Sequence, residues 1–308
     1  MTKRVISVFL CVLCVISSIS FIVSAKENKE YTSDNFLSVA DGIIAWKKAD
    51  NGSEPDGYLI NDKYLENAGT TPGDWYPIAL GRLGIQDNNE GYLAVIKDRV
   101  EERYRESGRL SAAKATEWHR IALAVLAMGG DPTNFGTDEN GAPINLIADG
   151  TYDRGKTTPL GRQGINGWIW GLITLDSMRY TVPDGAYNTR DDIIVEIISK
   201  QLSDGGFALS SDDADPDITA MAITALAPYY NSEKIYSYHR KALSADESKT
   251  VHEVVDEAVL CLSRLQLDTG DYKSWGTQNV ESTDWVAVAL CSCLLYTSPS
   301  PRDGATSR

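Results

Sequence analysis

Basic charge, cysteine and histidine are all scarce in this chain. Lysine and arginine number 29 against 43 aspartates and glutamates, a formal net charge of −14. A chain with an excess of that sign is a poor binder of nucleic acid or anionic lipid surfaces, both of which attract Lys/Arg patches, and no nucleic-acid partner is expected. There are five cysteines. Two of them, Cys11 and Cys14, fall in an apolar leader and Cys293 in an aberrant tail, so only Cys261 and Cys291 remain. Such a pair does not make a disulfide framework; a single bridge is the alternative to two small buried helix residues, which is the expected reading. The three histidines, His119, His239 and His252, are far apart in sequence, and none lies beside an Asp-x-Cys that would suggest a zinc site. His239 and His252 sit in polar surroundings and are expected at the surface. His119, next to Trp118 on an apolar segment, is either a cavity residue or a satisfied core histidine.

Long apolar runs are also missing, except at the N-terminus. Lys3 and Arg4 precede an apolar stretch from Val5 to Val23, followed by Ser24-Ala25 and the charged Lys26-Glu27. Basic, apolar and small-residue regions in that order predict a secretory signal over residues 1–25, with an uncleaved membrane anchor as the alternative. Either reading puts the rest of the chain outside the cell, as a secreted or cell-surface protein. At the other end, the segment CLLYTSPSPRDGATSR breaks an alanine-rich helical pattern. It resembles a translated sequencing adapter, so residues 293–308 are expected to be non-native and the natural protein to continue differently after Ser292.

Between these ends the chain repeats itself. Five octets align without gaps: GDWYPIAL (73–80), TEWHRIAL (116–123), NGWIWGLI (166–173), TAMAITAL (219–226) and TDWVAVAL (283–290). Three are preceded by Gly-x-aromatic, at Gly150/Tyr152, Gly205/Phe207 and Gly270/Tyr272. The spacing between octets accommodates two helices and a loop per unit. Residues 189–202 place Ile193, Ile194, Ile197, Ile198 and Leu202 on one helical stripe with charges between, which predicts a helix with a wet outer face. The octets are apolar or small all round, as in helices buried on every side. A helix opening at Ser33, its expected N-cap, begins the array.

These features resemble the prenyltransferase and squalene-cyclase repeat superfamily. Gln201-x-x-x-Gly205-x-Phe207 and Gln266-x-x-x-Gly270-x-Tyr272 are similar to its Q-x-x-x-G-x-W repeat, with Phe or Tyr in place of Trp. The physical expectation is that glycine ends the outer helix, the aromatic plugs the joint and the glutamine amide ties loop backbone. The resemblance implies an all-α fold over residues 33–292, an α/α toroid of about five to six helical hairpins, incomplete at its C-terminus with an exposed apolar seam along 283–292.

Within that superfamily a thioester protein needs Cys-Gly, and no cysteine here precedes glycine. Class II terpene cyclases carry Asp-x-Asp-Asp-Thr-Ala, which Asp215-Pro216-Asp217-Ile218-Thr219-Ala220 resembles, with Ile218 in place of the third aspartate. That loss removes a carboxylate needed to hold and polarise an acid. Asp213, Asp215 and Asp217 begin like a calcium loop, yet Ile218 and Thr224 stand where glycine and glutamate belong, so no metal is expected. Asp217, Thr219, Ala220, Met221 and Ala222 also loosely match the inner-helix segment of cobalamin carriers.

The expectation is therefore an exported binding module without catalysis and without a cofactor, taking a small molecule, with a corrinoid the sharpest choice, or an extracellular protein. Attachment to membrane or cell wall would come only through a missing C-terminal region. The expected pocket residues are Trp75, Tyr76, Trp118, His119, Trp168, Trp170, Asp217, Met221 and Trp285. The alternative is a cyclase-like enzyme with Asp215 or Asp217 as proton donor. Asp74, Glu117, Asp217 and Asp284, each near the start of an octet helix, read as generic helix caps, leaving Asp212, Asp213 and Asp215 as a local excess.

Overall fold

The computed structural model describes residues 33–154 and 159–297; the leader and the end of the adapter-like tail lie outside the described residues. The chain is mostly helical, with eleven α-helices and two small two-stranded sheets among these residues. Two compact units form, one from Lys26–Arg162 and Thr174–Asn188, the other from Gln163–Ile173 and Thr189 onward.

The N-terminal unit contains α1 (Ser33–Asn51), α2 (Asp62–Leu65), α3 (Thr71–Leu83), α4 (Asn89–Ser107), α5 (Thr116–Ala127) and α6 (Leu146–Gly150). Helix α4 buries only Tyr92, Ile96, Val100 and Tyr104. That is one residue per turn, so its many charges face water. Helix α5 buries Trp118, His119, Arg120, Ile121, Ala122, Ala124 and Val125, nearly its whole circumference. Helices α3 and α5 pack against each other. They approach so closely at Gly81 that a Cβ there would stand 2.1 Å from the Ala127 carbonyl oxygen. Only glycine permits that approach.

The C-terminal unit holds most of α7 (Ile165–Asp176), then α8 (Arg190–Ile198), α9 (Pro216–Leu226), strands β1 (Ile235–Arg240) and β2 (Ala245–Thr250), α10 (Val251–Leu265), strands β3 (Lys273–Ser274) and β4 (Thr277–Gln278), and α11 (Val280–Thr297). Helix α9 packs on α11 and α10. The alternation recurs: α8 buries one stripe (Ile193, Ile194, Ile197, Ile198), whereas α9 is buried almost all round. Helix α8 stops four residues short of the expected Leu202. Thr189 caps its start in a reciprocal bond with Asp192, while Gln201 is drawn out of the helix to serve the following loop.

That loop explains the repeated motif. Gln201 Nε2 donates to the Gly205 carbonyl at 2.8 Å, and Gln266 Nε2 does the same to Gly270 at 2.8 Å. Leu202 N bonds Gly206 O, and Leu267 N bonds Asp271 O. Both glycines are left-handed, at φ 89° and 92°, a conformation that favours glycine. The first threonine of each octet then grips the aromatic residue's backbone: Phe207 N donates to Thr219 Oγ1 at 2.9 Å and Tyr272 N to Thr283 Oγ1 at 3.2 Å. Phe207 and Tyr272 are buried, as joint-plugging aromatics should be. Two successive units thus share one hydrogen-bond scheme.

The antiparallel β1–β2 hairpin departs from the all-helical expectation. It pairs Ile235 with Thr250 through Arg240 with Ala245. Tyr236, Tyr238 and Arg240 alternate inward, the period-2 pattern of a half-buried strand. Arg240 Nε donates to the Gln201 carbonyl at 3.1 Å and its Nη2 to that of Leu202, so the hairpin clasps the end of α8. Cys261 is buried and Cys291 exposed, both as free thiols, which corrects the expectation that both are buried. Along 283–292 Val288, at 46%, and Cys291 are exposed, with Val280 just before them at 63%.

Candidate functional site

The four clustered aspartates separate by role. Asp212 and Asp213 are exposed surface charges. Asp215 is the N-cap of α9: its Oδ1 accepts from Asp217 N at 3.0 Å and Ile218 N at 3.1 Å. Pro216, at the first helical position, fixes that assignment, because its missing N–H leaves the next two amides for the cap. The second Asp215 oxygen accepts from Ser274 Oγ at the end of β3. The reading of Asp217 as the generic cap is therefore corrected; Asp215 caps, and Asp217 is free to do something else.

Asp217 is half-buried. Burial, the neighbouring Asp215 and Glu281 all raise its carboxyl above the usual carboxylate value, while the Ser282 and Ser274 hydroxyls oppose the rise. Ser282 hydroxyl is itself directed to Asn279 Oδ1 at 2.8 Å, and that of Ser274 to Asp215. Asp217 Oδ1 is thus buried with no hydrogen-bond partner among the described residues. Ile218, where a third carboxylate would stand, is 5% exposed. The isoleucine is part of the core.

Aromatic groups lie along the same helices. Trp285 follows Ser282 by three residues on α11, hence on the same face, and meets Trp170 edge-to-face at 5.7 Å between ring centroids, 81° between planes. Met221 follows Asp217 by one turn on α9 and is half-buried. Trp168, two residues from Trp170 and so on a different face of α7, sits instead with Lys200 Nζ 5.8 Å from its ring centre. Within this unit the structure groups Asp217, Met221, Trp170 and Trp285 by helix face and turns Trp168 toward the end of α8.

The remaining expected pocket residues belong to the N-terminal unit. Trp118 is 1% exposed; its Nε1 donates to Tyr104 Oη at 2.7 Å and the Arg154 guanidinium stands 3.9 Å from its ring centre. His119 is fully buried, its Nε2 2.7 Å from the Gly150 carbonyl. Burial pushes its pKa down to about 4, so the ring is neutral and Nε2 carries the donated proton. Both side chains are core. Tyr76 meets Tyr64 edge-to-face at 6.3 Å, and Trp75 is 40% exposed.

Sequence reasoning missed the main polar feature of this unit. Asp74 is fully buried and accepts from Arg120 Nε at 2.7 Å, Tyr92 Oη at 2.7 Å and Gly69 N at 2.7 Å. Burial raises its carboxyl in spite of these bonds. Arg120 also reaches Glu117 Oε1 at 2.7 Å. The acidic residues of the first two octets are thus bound to one arginine. Ser274 and Ser282 were missed as well; the only signal for Ser274 was its place before Trp275-Gly276, a tight hairpin tip.

Comparison with known proteins adds no relative. No family model matches the chain, no curated protein is similar to it, and no solved structure resembles it. Among the described residues there is no group of three or more His, Cys, Asp or Glu side chains placed to hold a metal ion, and no helix is long and apolar enough to cross a membrane.

Proposed function

We propose that this chain is an exported, cell-surface repeat protein of α/α-toroid type whose C-terminal unit binds a small ligand without transforming it. The alternation of one-sided helices (α4, α8) with buried ones (α5, α9), and the Gln–Gly–aromatic–Thr scheme used twice, support the toroid of about five to six hairpins. The observation that carries the binding reading is Asp217 Oδ1, a buried carboxyl oxygen with no hydrogen-bond partner among the described residues, the nearby Ser282 and Ser274 hydroxyls being directed to Asn279 and Asp215, on the helix that packs against the bearer of Trp285. A buried polar atom left unmatched is costly, and a few such atoms beside aromatic walls characterise ligand sites. A half-buried carboxyl accepts hydrogen bonds from amide N–H groups, which suits amide side chains such as those rimming a corrinoid. Titration with cobalamin, read by the fluorescence of Trp170 and Trp285, tests this. Quenching that saturates and weakens about tenfold in Asp217→Asn, the loss of one charged-group hydrogen bond, is expected; an unchanged spectrum at millimolar ligand removes the corrinoid.

One observation favours the enzyme alternative, the raised carboxyl of Asp217, since a cyclase acid must be protonated. Against it, both oxygens of Asp215 are already acceptors and Ile218 supplies no proton relay. Product analysis with a squalene-like polyene decides: cyclised product that disappears in Asp217→Asn would establish catalysis.

A further inference from the structure

Helix α7 carries a second buried oxygen without a partner. Asn166 Oδ1 is buried and has no hydrogen-bond partner among the described residues, the same condition as Asp217 Oδ1. Asn166 opens the third octet, and the equivalent residues of the two later octets are in use: Thr219 and Thr283 accept from the backbone of Phe207 and Tyr272. No such bond reaches Asn166 Oδ1, and Gly150, of the preceding Gly-x-aromatic, ends helix α6 instead of turning left-handed. The amide is spared the joint-holding task. Its place is set by two contacts. A Cβ on Gly164, two residues before Asn166, would lie 3.7 Å from the Leu209 carbonyl oxygen, so α7 begins beside the loop that leads to Asp215 and α9. Trp170, one turn beyond Asn166 and hence on its face, meets Trp285; each tryptophan is the sixth residue of its helix. Ser282, whose hydroxyl acts on Asp217, precedes Trp285 by one turn. Asn166 and Asp217, each the second residue of its helix, thus stand at the same end of this group, with Asn166 about 6 Å along the helix axis from the ring pair.

We propose that Asn166 is the second polar contact of the Asp217 site, and that the pair selects its ligand through a primary amide group. The inference rests on the binding reading above and names the group that is recognised. Two unmatched acceptor oxygens call for N–H donors. A primary amide supplies two, while its carbonyl accepts from Asn166 Nδ2. A carboxylate of the same shape offers acceptors alone and meets Asp217 with like charge. A site built around hydrogen bonds rejects an analogue that lacks them far more strongly than an apolar pocket rejects a missing methylene.

Phenylacetamide and its isostere phenylacetate are the probes, titrated into the full chain and followed by the indole N–H resonances of Trp170 and Trp285. Saturable shifts with the amide are expected, with affinity about tenfold weaker or worse for the carboxylate, and for the amide in Asn166→Leu and Asn166→Ala. Because Asn166 Oδ1 has no partner to lose, Asn166→Leu should melt no lower than the wild type, which an amide held for structure would not allow. Phenylacetamide binding without cobalamin binding strikes the corrinoid and keeps Asn166. Cobalamin binding that ignores both Asn166 variants overturns the inference and keeps the site. The inference is also overturned by phenylacetate binding as tightly as the amide, by neither probe binding, or by a lowered melting temperature in Asn166→Leu.

Discussion

Asp215 and Asp217 differ by two positions and by everything their surroundings impose. The cap geometry consumes one, and burial beside like charge perturbs the other. Which aspartate caps was readable in principle from Pro216, since proline favours the first helical position; that Asp217 lies near Ser282 depends on residues 65 apart, which no local pattern reports. His119 carries a residue-scale prediction. Its pKa is lowered from 6.5 to about 4 by burial, so between those values the unfolded chain binds the extra proton. The neutral ring's contribution is complete above pH 6.5 and is lost as pH falls toward 4, on the order of 3 kcal/mol in all. Urea unfolding of the wild type and His119→Gln should show a stability gap that narrows through this window; a constant gap would falsify the assignment. Arg120→Met leaves the Asp74 carboxyl buried without its cation, and breaking one side of such a pair costs about 3–5 kcal/mol. A loss below 1 kcal/mol in chemical denaturation would mean that Asp74 is already neutral.

At the scale of elements, the alternation of one-sided and buried helices was visible in periodicity, because burial on one face or on all faces writes different patterns. The stripe Ile193-Ile194-Ile197-Ile198 is buried as expected. The β1–β2 hairpin was not visible: its inward residues are Tyr236, Tyr238 and Arg240, and an arginine that earns its place by binding the Gln201 and Leu202 carbonyls looks like surface in a sequence. The loop scheme predicts matched sensitivities. Gly205→Ala and Gly270→Ala each force a side chain into the left-handed region, costing about 1 kcal/mol or more. Gly205→Ala should cost more than that, because its Cβ would stand 2.8 Å from the Glu257 carbonyl oxygen. Thermal melts in which either variant is as stable as wild type would remove the loop from the account of the repeat.

For the whole molecule, the octets predicted one repeating architecture; two units share the Gln–Gly and aromatic–Thr hydrogen bonds, whereas Gly150, of the third Gly-x-aromatic, ends a helix instead. The expected pocket residues fall in two units. Trp118 and His119 went to the core of the N-terminal unit, where Trp118 Nε1 bonds Tyr104 and His119 Nε2 bonds Gly150, a pairing between segments that periodicity does not encode. The proposed site lies in the C-terminal unit, with Asp217 as its polar centre. Calorimetric titration of a corrinoid into wild type, Asp217→Asn and the exposed control Asp212→Asn measures that directly. The account predicts saturable heat in wild type and the Asp212 variant, with affinity about tenfold weaker in the Asp217 variant. Equal affinity in all three proteins, or no heat in any, would contradict it.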